Sequence, residues 1–132
     1  MDGLLDPDTG LPGRELLFDR LGHALVRART HGTLVTLVLL KGNAALARRL
    51  RATMRADHTV ARYDGMVAVV AEHPYGSGET IARRVAGATG TTAGWHTSDG
   101  GDQVHEMLVI AEDRLRHTNG PRSVVAPGPV RW

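Results

Sequence analysis

The sequence predicts an α/β domain of the α+β kind, a two-layer sandwich with helices on a mixed central sheet of about five strands. Three observations predict it. Apolar residues recur at helical spacing in separate stretches, short runs of β-branched residues lie between them, and Gly, Asn, Asp and Pro punctuate the joins. The 132 residues suit one domain, spanning 1–126 with a C-terminal tail at 127–132. A domain of this length buries roughly two-thirds of its unfolded surface and needs no staple.

Each element follows from its local pattern. Leu17, Leu21, Leu25 and Ala28 mark a first helix, with Pro12 suited to its first turn and Gly32 to its end. "TLVTLVLL" (33–40) has the length and composition of a buried strand. Leu46, Leu50 and Met54 mark a second helix over Ala44–Met54. "TVARYDGMVAVVAE" (59–72) reads as a hairpin turning at Asp64-Gly65. "YGSG" (75–78) opens a third helix with Ile81 and Val85 inward. "TTAGWHT" (91–97) is a strand, and "SDGGD" (98–102) a loop whose Asp102 offers a helix N-cap. Val104, Met107, Leu108, Ala111 and Leu115 give a fourth, strongly amphipathic helix. Asn119-Gly120-Pro121 stops it, and "RSVVA" (122–126) is a last short strand. Strands alternating with helices around one hairpin suggest a ferredoxin-like arrangement.

Composition excludes several classes. The chain has no cysteine, so neither a disulfide framework nor a thiolate metal site is available. The run "LVTLVLL" (34–40) is too short to span a bilayer, and the N-terminus lacks the pattern of a signal peptide, so a cytoplasmic location is expected. Net charge is only +2, and Lys41 is the one lysine among sixteen Lys and Arg residues. Arg48, Arg49, Arg51 and Arg55 cluster on the second helix, the footprint a nucleic-acid accessory protein would carry. A solvated helix face is the better account, because aromatic residues that stack on bases are scarce.

Five segments in order resemble the GGDEF domain of bacterial diguanylate cyclases, over about residues 6–125. "DPDTGLPGR" (6–14) resembles the family's opening, with Asp6, Thr9, Gly10, Leu11 and Arg14 matching and Asp8 and Gly13 departing. The helix "ELLFDRLGHALVRAR" follows it. "RADHTVARYDGM" (55–66) resembles the approach to the signature turn, "TAGW" (92–95) a later strand, and "AEDRL" (111–115) the last helix. The resemblance implies a phosphoryl-transfer fold in which carboxylates hold divalent cations against GTP. In this chain the first-strand acid falls at or near Lys41, and the turn reads Asp64-Gly65-Met66-Val67-Ala68. Exchanging a carboxylate for an ammonium about 4 Å from a cation reverses an interaction of roughly 4 kcal/mol. The family's base-reading segment and one helix after the first strand are missing between Lys41 and Ala44, and "RHTNGPR" (116–122) lacks its phosphate-gripping lysine. The expectation is a degenerate domain with no catalytic residues, no metal and no cofactor.

The resemblance also implies a remnant inhibitory site. The family's R-x-x-D reads Arg55-Ala56-Asp57-His58 here, with His58 in place of the acid. Ligand-binding candidates are therefore Arg55, His58, Arg62, Asp64 and Gly65. An arginine fork still grips phosphate or stacks on guanine, although solvent exposure is the simpler role for Arg55. The histidines show no metal-binding spacing. "GSGET" (76–80) and "GTTAG" (90–94) lack the lysine of a phosphate loop, and "DGGDQVHE" (99–106) lacks the spacing of a calcium loop.

Three functional readings result. The first is a non-catalytic regulatory scaffold in bacterial signalling that docks on a protein partner or a second copy, supported if an exposed apolar patch exists. The second is a receptor for cyclic di-GMP, GTP or a related nucleotide, supported if Arg55, Arg62 and Asp64 line one pocket. The third is the nucleic-acid accessory. Met1 and the family-like opening point to a compact stand-alone domain.

Overall fold

The computed structural model describes residues 4–76, 78–117 and 123–124. The third-helix opening at Ser77, the stop at Asn119-Gly120-Pro121, most of the last strand and the tail lie outside the described residues. In chain order the elements are α1 (Arg14–His31), β1 (Leu34–Lys41), α2 (Ala44–Thr53), β2 (Thr59–Tyr63), β3 (Met66–His73), α3 (Glu79–Thr89), β4 (Ala93–Ser98), α4 (Val104–Arg116) and β5 (Ser123–Val124). A single helix, α2, joins β1 to β2.

Among the described residues the sheet has five strands in the order β2-β3-β1-β4-β5. Every neighbouring pair is antiparallel, which corrects the mixed sheet expected from the sequence. The reason is topological. The α2 crossover carries the chain from β1 past β3 to β2, and the α3 crossover carries it from β3 past β1 to β4. Strands joined by each crossover run parallel, but an antiparallel strand always lies between them. Alternation of strands and helices along the chain therefore says nothing here about the sense of spatial neighbours.

Two apolar clusters flank the sheet. Leu17, Leu21 and Leu25 of α1 and Met107, Leu108 and Leu115 of α4 pack on Val35, Leu37 and Leu39. Ala47 and Leu50 of α2 and Ala82 and Val85 of α3 pack on Val38, Leu40, Val67 and Val69. Helices thus cover both faces, giving three layers where two were expected. The physical cause is β1: successive side chains of a strand point to opposite faces, and Leu37 to Leu40 are all fully buried.

Two local expectations also change. Pro12 lies before Gly13, the N-cap of α1, and its carbonyl accepts from the Arg62 N–H at 2.9 Å, closing the outer edge of β2. Gln103, not Asp102, caps α4, and the Glu106 carboxylate accepts from the Gln103 N–H at 2.7 Å. Gly32 ends α1 as expected, with φ at 70°.

Candidate functional site

The hairpin turn is built for tightness. Asp64 and Gly65 have φ of 48° and 77°, the left-handed pair that a two-residue hairpin loop requires, and Tyr63 faces Met66 across it. The opening segment braces this turn. Asp6 accepts from the Thr9 hydroxyl at 2.7 Å and the Thr9 N–H at 3.1 Å, shaping a loop whose Gly10 has φ of 74°. Arg62 reaches Asp6 at 3.5 Å, and Arg14 reaches Asp64 at 2.5 Å. The Arg14 guanidinium also lies 4.9 Å and 5.2 Å from the ring centres of Phe18 and Tyr63. The residues that match the GGDEF opening thus have structural work to do at this turn.

The same corner was the expected place for metal carboxylates. Lys41, exposed at the end of β1, pairs in register with Met66 at the start of β3. Met66, Val67 and Ala68 are buried in the apolar clusters. Asp64, the turn's single acid, is engaged by a cation. A cavity of about 290 Å³ nearby is lined by Lys41, Thr91, Thr92, Leu115 and Arg116. An ammonium, a thioether and a neutralised carboxylate do not fit a divalent-cation pair.

A second cavity, of about 350 Å³, lies beside the Thr59–Val70 pair of β2 and β3, between α1 and the α2–β2 loop. Arg20, His23 and Arg27 enter it from α1, Arg51 from α2, Asp57 and His58 from the loop, and Glu72 from β3. Arg27 is fixed by two hydrogen bonds to Glu72, at 3.0 Å and 2.7 Å, which raise its pKa further. Arg51 donates to the carbonyls of Met54, Arg55 and His58, so its charge closes the C-terminal end of α2. Arg20 has neither a hydrogen bond nor an ion pair among the described residues. His58 is only 8% exposed, and its Nδ1 is buried without a hydrogen-bond partner. Burial holds its pKa below the usual 6.5, and Arg55, Arg84 and Arg51 push the same way against Asp57.

The five ligand-binding candidates are dispersed. Arg55 is exposed and folds back on Asp57, with bonds of 3.2 Å and 3.3 Å. Arg62 is committed to Asp6, and Asp64 with Gly65 forms the braced turn. Of the five, His58 alone lines the larger cavity. Arg20, His23, Arg27 and Glu72 were absent from the sequence-based candidates. Their signal was the spacing of Arg20, His23 and Arg27, which sets three basic side chains along one side of α1. The arginines on and just after α2 divide in the same manner: Arg48 donates to the Asp8 carbonyl at 3.0 Å, Arg51 closes its helix, and Arg55, in the loop that follows, holds Asp57. No continuous basic stripe for nucleic acid results from them.

Four of the other histidines have structural partners. His96 donates from Nε2 to Asp102 at 3.0 Å while Arg114 donates to its Nδ1 at 3.0 Å. Burial raises the Asp102 pKa, but hydrogen bonds from His96 and Ser98 outweigh this and leave it below the usual value. His73 bonds to Thr36 at 2.7 Å, and His23 and His117 lie near Asp19 and Asp113. Large apolar side chains exposed among the described residues are Leu4, Leu5, Val26, Tyr75 and Val109, set on separate elements apart from the adjacent leucines. No described helix is long and apolar enough to cross a membrane.

No protein-family model matches the chain, and no curated protein matches it in sequence. Its fold has close counterparts among solved structures. The GGDEF domain of DgcB from Caulobacter crescentus, in complex with c-di-GMP, matches at TM-score 0.74 and 16% identity over 90% of this chain and 91% of that one. The GGDEF domain of YfiN (TpbB) from Pseudomonas aeruginosa matches at TM-score 0.73 and 21% identity over 86% and 87%. The diguanylate cyclase SiaD from Pseudomonas aeruginosa, in complex with its activator SiaC, matches at TM-score 0.75 and 17% identity over 88% of this chain and 58% of that one. The chain therefore has the fold of a GGDEF domain.

Proposed function

We propose that this GGDEF-fold chain is a regulatory scaffold in bacterial signalling, docking on a protein partner or a second copy and not condensing GTP. One observation carries the loss of turnover: where cations would need carboxylates, Lys41 faces Met66 and Arg14 occupies Asp64. Neither Lys41 nor Met66 carries a carboxylate and that of Asp64 already holds Arg14, while the phosphoryl chemistry of such folds depends on the cation. The SiaD–SiaC complex is a precedent for a protein partner on this fold. Incubation with GTP and magnesium or manganese, followed by chromatography of the nucleotides, tests the proposal. Unchanged GTP is the expected result, and formation of cyclic di-GMP overturns it. Sedimentation across a concentration series then asks whether the partner is a second copy.

The larger cavity favours a second reading, a receptor for cyclic di-GMP, GTP or a related phosphate-bearing ligand. The supporting observation is an unpartnered, buried His58 beside Arg20, which has no anionic partner, and the fixed guanidinium groups of Arg27 and Arg51. The DgcB domain holds c-di-GMP on the same fold. Calorimetric titration with cyclic di-GMP and with GTP tests this reading. Heat that is lost in Arg20→Ala supports it, and no heat with either ligand removes it.

A further inference from the structure

We infer that His58 makes occupation of the larger cavity proton-linked: a phosphate-bearing ligand enters together with one proton, taken from solvent onto the imidazole. The inference rests on the receptor reading above and adds its regulation. Its basis is geometric. His58 lies at the wall of the cavity, more than nine-tenths buried, with Nδ1 lacking any partner. A buried ring nitrogen left without a partner is costly and uncommon, and the ring that carries it belongs to the wall of a cavity crowded with arginines.

The charges around the ring set the direction of the coupling. Arg51 of α2, Arg55 and Asp57 of the loop and Arg84 of α3 act on His58 directly. Arg20, His23 and Arg27 of α1 and Glu72 of β3 share its cavity. Cations outnumber acids in this set, and two of the cations are already committed: Arg27 to Glu72 and Arg55 to Asp57. In the empty cavity, burial and the surrounding arginines keep the ring neutral. A phosphate group held by Arg20 and Arg51 reverses the local field. The proton stabilises the bound ligand and the ligand stabilises the proton, as reciprocal linkage requires. A carboxylate at this position would be negative at neutral pH and would not couple in this sense, so the behaviour belongs to the histidine.

The test uses two probes that do not themselves titrate near neutrality, cyclic di-GMP and inorganic sulfate. Calorimetry is run at about pH 6 and about pH 8, on either side of the free imidazole value, in two buffers of different ionisation enthalpy. The expected result is uptake approaching one proton per ligand and an affinity that falls by up to about tenfold per pH unit as pH rises. Sulfate binding with the same proton uptake makes a lone tetrahedral anion sufficient, whereas binding of the cyclic dinucleotide alone makes the phosphodiester the recognised form. His58→Gln, which keeps an N–H but does not titrate, is expected to bind with no proton uptake and a flat pH profile. An NMR titration of the wild-type histidines provides an independent reading, with the His58 pKa rising on addition of the probe. Binding without proton uptake, or uptake unchanged in His58→Gln, overturns the inference and leaves the receptor reading intact. Absence of binding by both probes at both pH values, together with no heat from GTP, overturns the two together.

Discussion

Arg14 holds the carboxylate of Asp64 at 2.5 Å across fifty residues of chain while its guanidinium lies over the rings of Phe18 and Tyr63. The contact ties the first turn of α1 to the hairpin that in a cyclase would carry the chemistry. It fixes the turn and, in doing so, takes its one carboxylate out of use.

Both members of this pair are about half exposed, so water screens the attraction. A double-mutant cycle with Arg14→Ala and Asp64→Asn is expected to give a coupling below about 1 kcal/mol by urea denaturation. Gly65→Val is expected to cost more than either single change, because a β-branched residue is strained at φ of 77°. A coupling of several kcal/mol in the pair would mean that the bridge is far better shielded than its exposure indicates.

Much of the fold was legible because local pattern and burial agree. Leu17, Leu21, Leu25 and Ala28 are all buried on α1, and Asp64-Gly65 forms the turn that its composition demands. The sense of the sheet and the helices on its second face were not legible. Both depend on which strand lies between β1 and β2 or between β3 and β4, a matter of three-dimensional neighbours and not of periodicity. The candidate site was legible only in part for a related reason. Arg51 and Arg55 looked alike as members of one arginine cluster, yet one closes a helix inside a cavity and the other pairs with Asp57 in solvent. Arg20 lies far from His58 in sequence, and the close approach of α1 to the α2–β2 loop unites them.

A partly buried polar chain links three strands beside the β3–α3 loop. The Gly78 N–H donates to the Thr97 hydroxyl at 2.9 Å, Thr97 bonds to Thr36 at 2.7 Å, and Thr36 bonds to His73 Nε2 at 2.7 Å. His73 Nδ1 then donates to the Tyr75 carbonyl at 3.0 Å. With a backbone donor at one end and a carbonyl at the other, the neutral ring gives every bond one direction, with Thr36 donating to His73. Thr36 is fully buried. Thr36→Val keeps the shape but strands Thr97 and His73, and is expected to cost about 1–3 kcal/mol in urea denaturation. Thr36→Ser retains the hydroxyl and is expected to lose less. Equal losses in the two variants would assign the position to packing and not to the hydrogen bonds.

Gly94 allows α4 to lie directly on β4. A Cβ at this position would press into the Leu115 nitrogen and the Ala111 carbonyl oxygen, both backbone atoms that a rotamer change cannot move aside. Gly94→Ala must therefore lift the helix from the strand, at a cost of about 3 kcal/mol from overpacking. Denaturation would measure this loss, and Trp95 fluorescence would report the displacement at the neighbouring residue. A neutral substitution would mean that α4 is free to shift.

The pH dependence of stability has a sign set by His58. Its folded pKa is lowered from 6.5 by burial first and by neighbouring arginines after it, so the unfolded chain binds the proton more readily. Stability is then complete above about pH 6.5, where neither state is charged, and declines as the pH falls from there toward the lower folded value. Asp102 adds a separate loss at more acid pH, since its folded pKa lies below the usual 3.8 and its bond from His96 weakens on protonation. Urea midpoints measured from neutral to acid pH are expected to fall in two stages. His58→Gln should flatten the first stage and leave the second, while Asp102→Asn should do the reverse. A first stage that survives His58→Gln would assign it to another histidine and detach the pH response from the cavity.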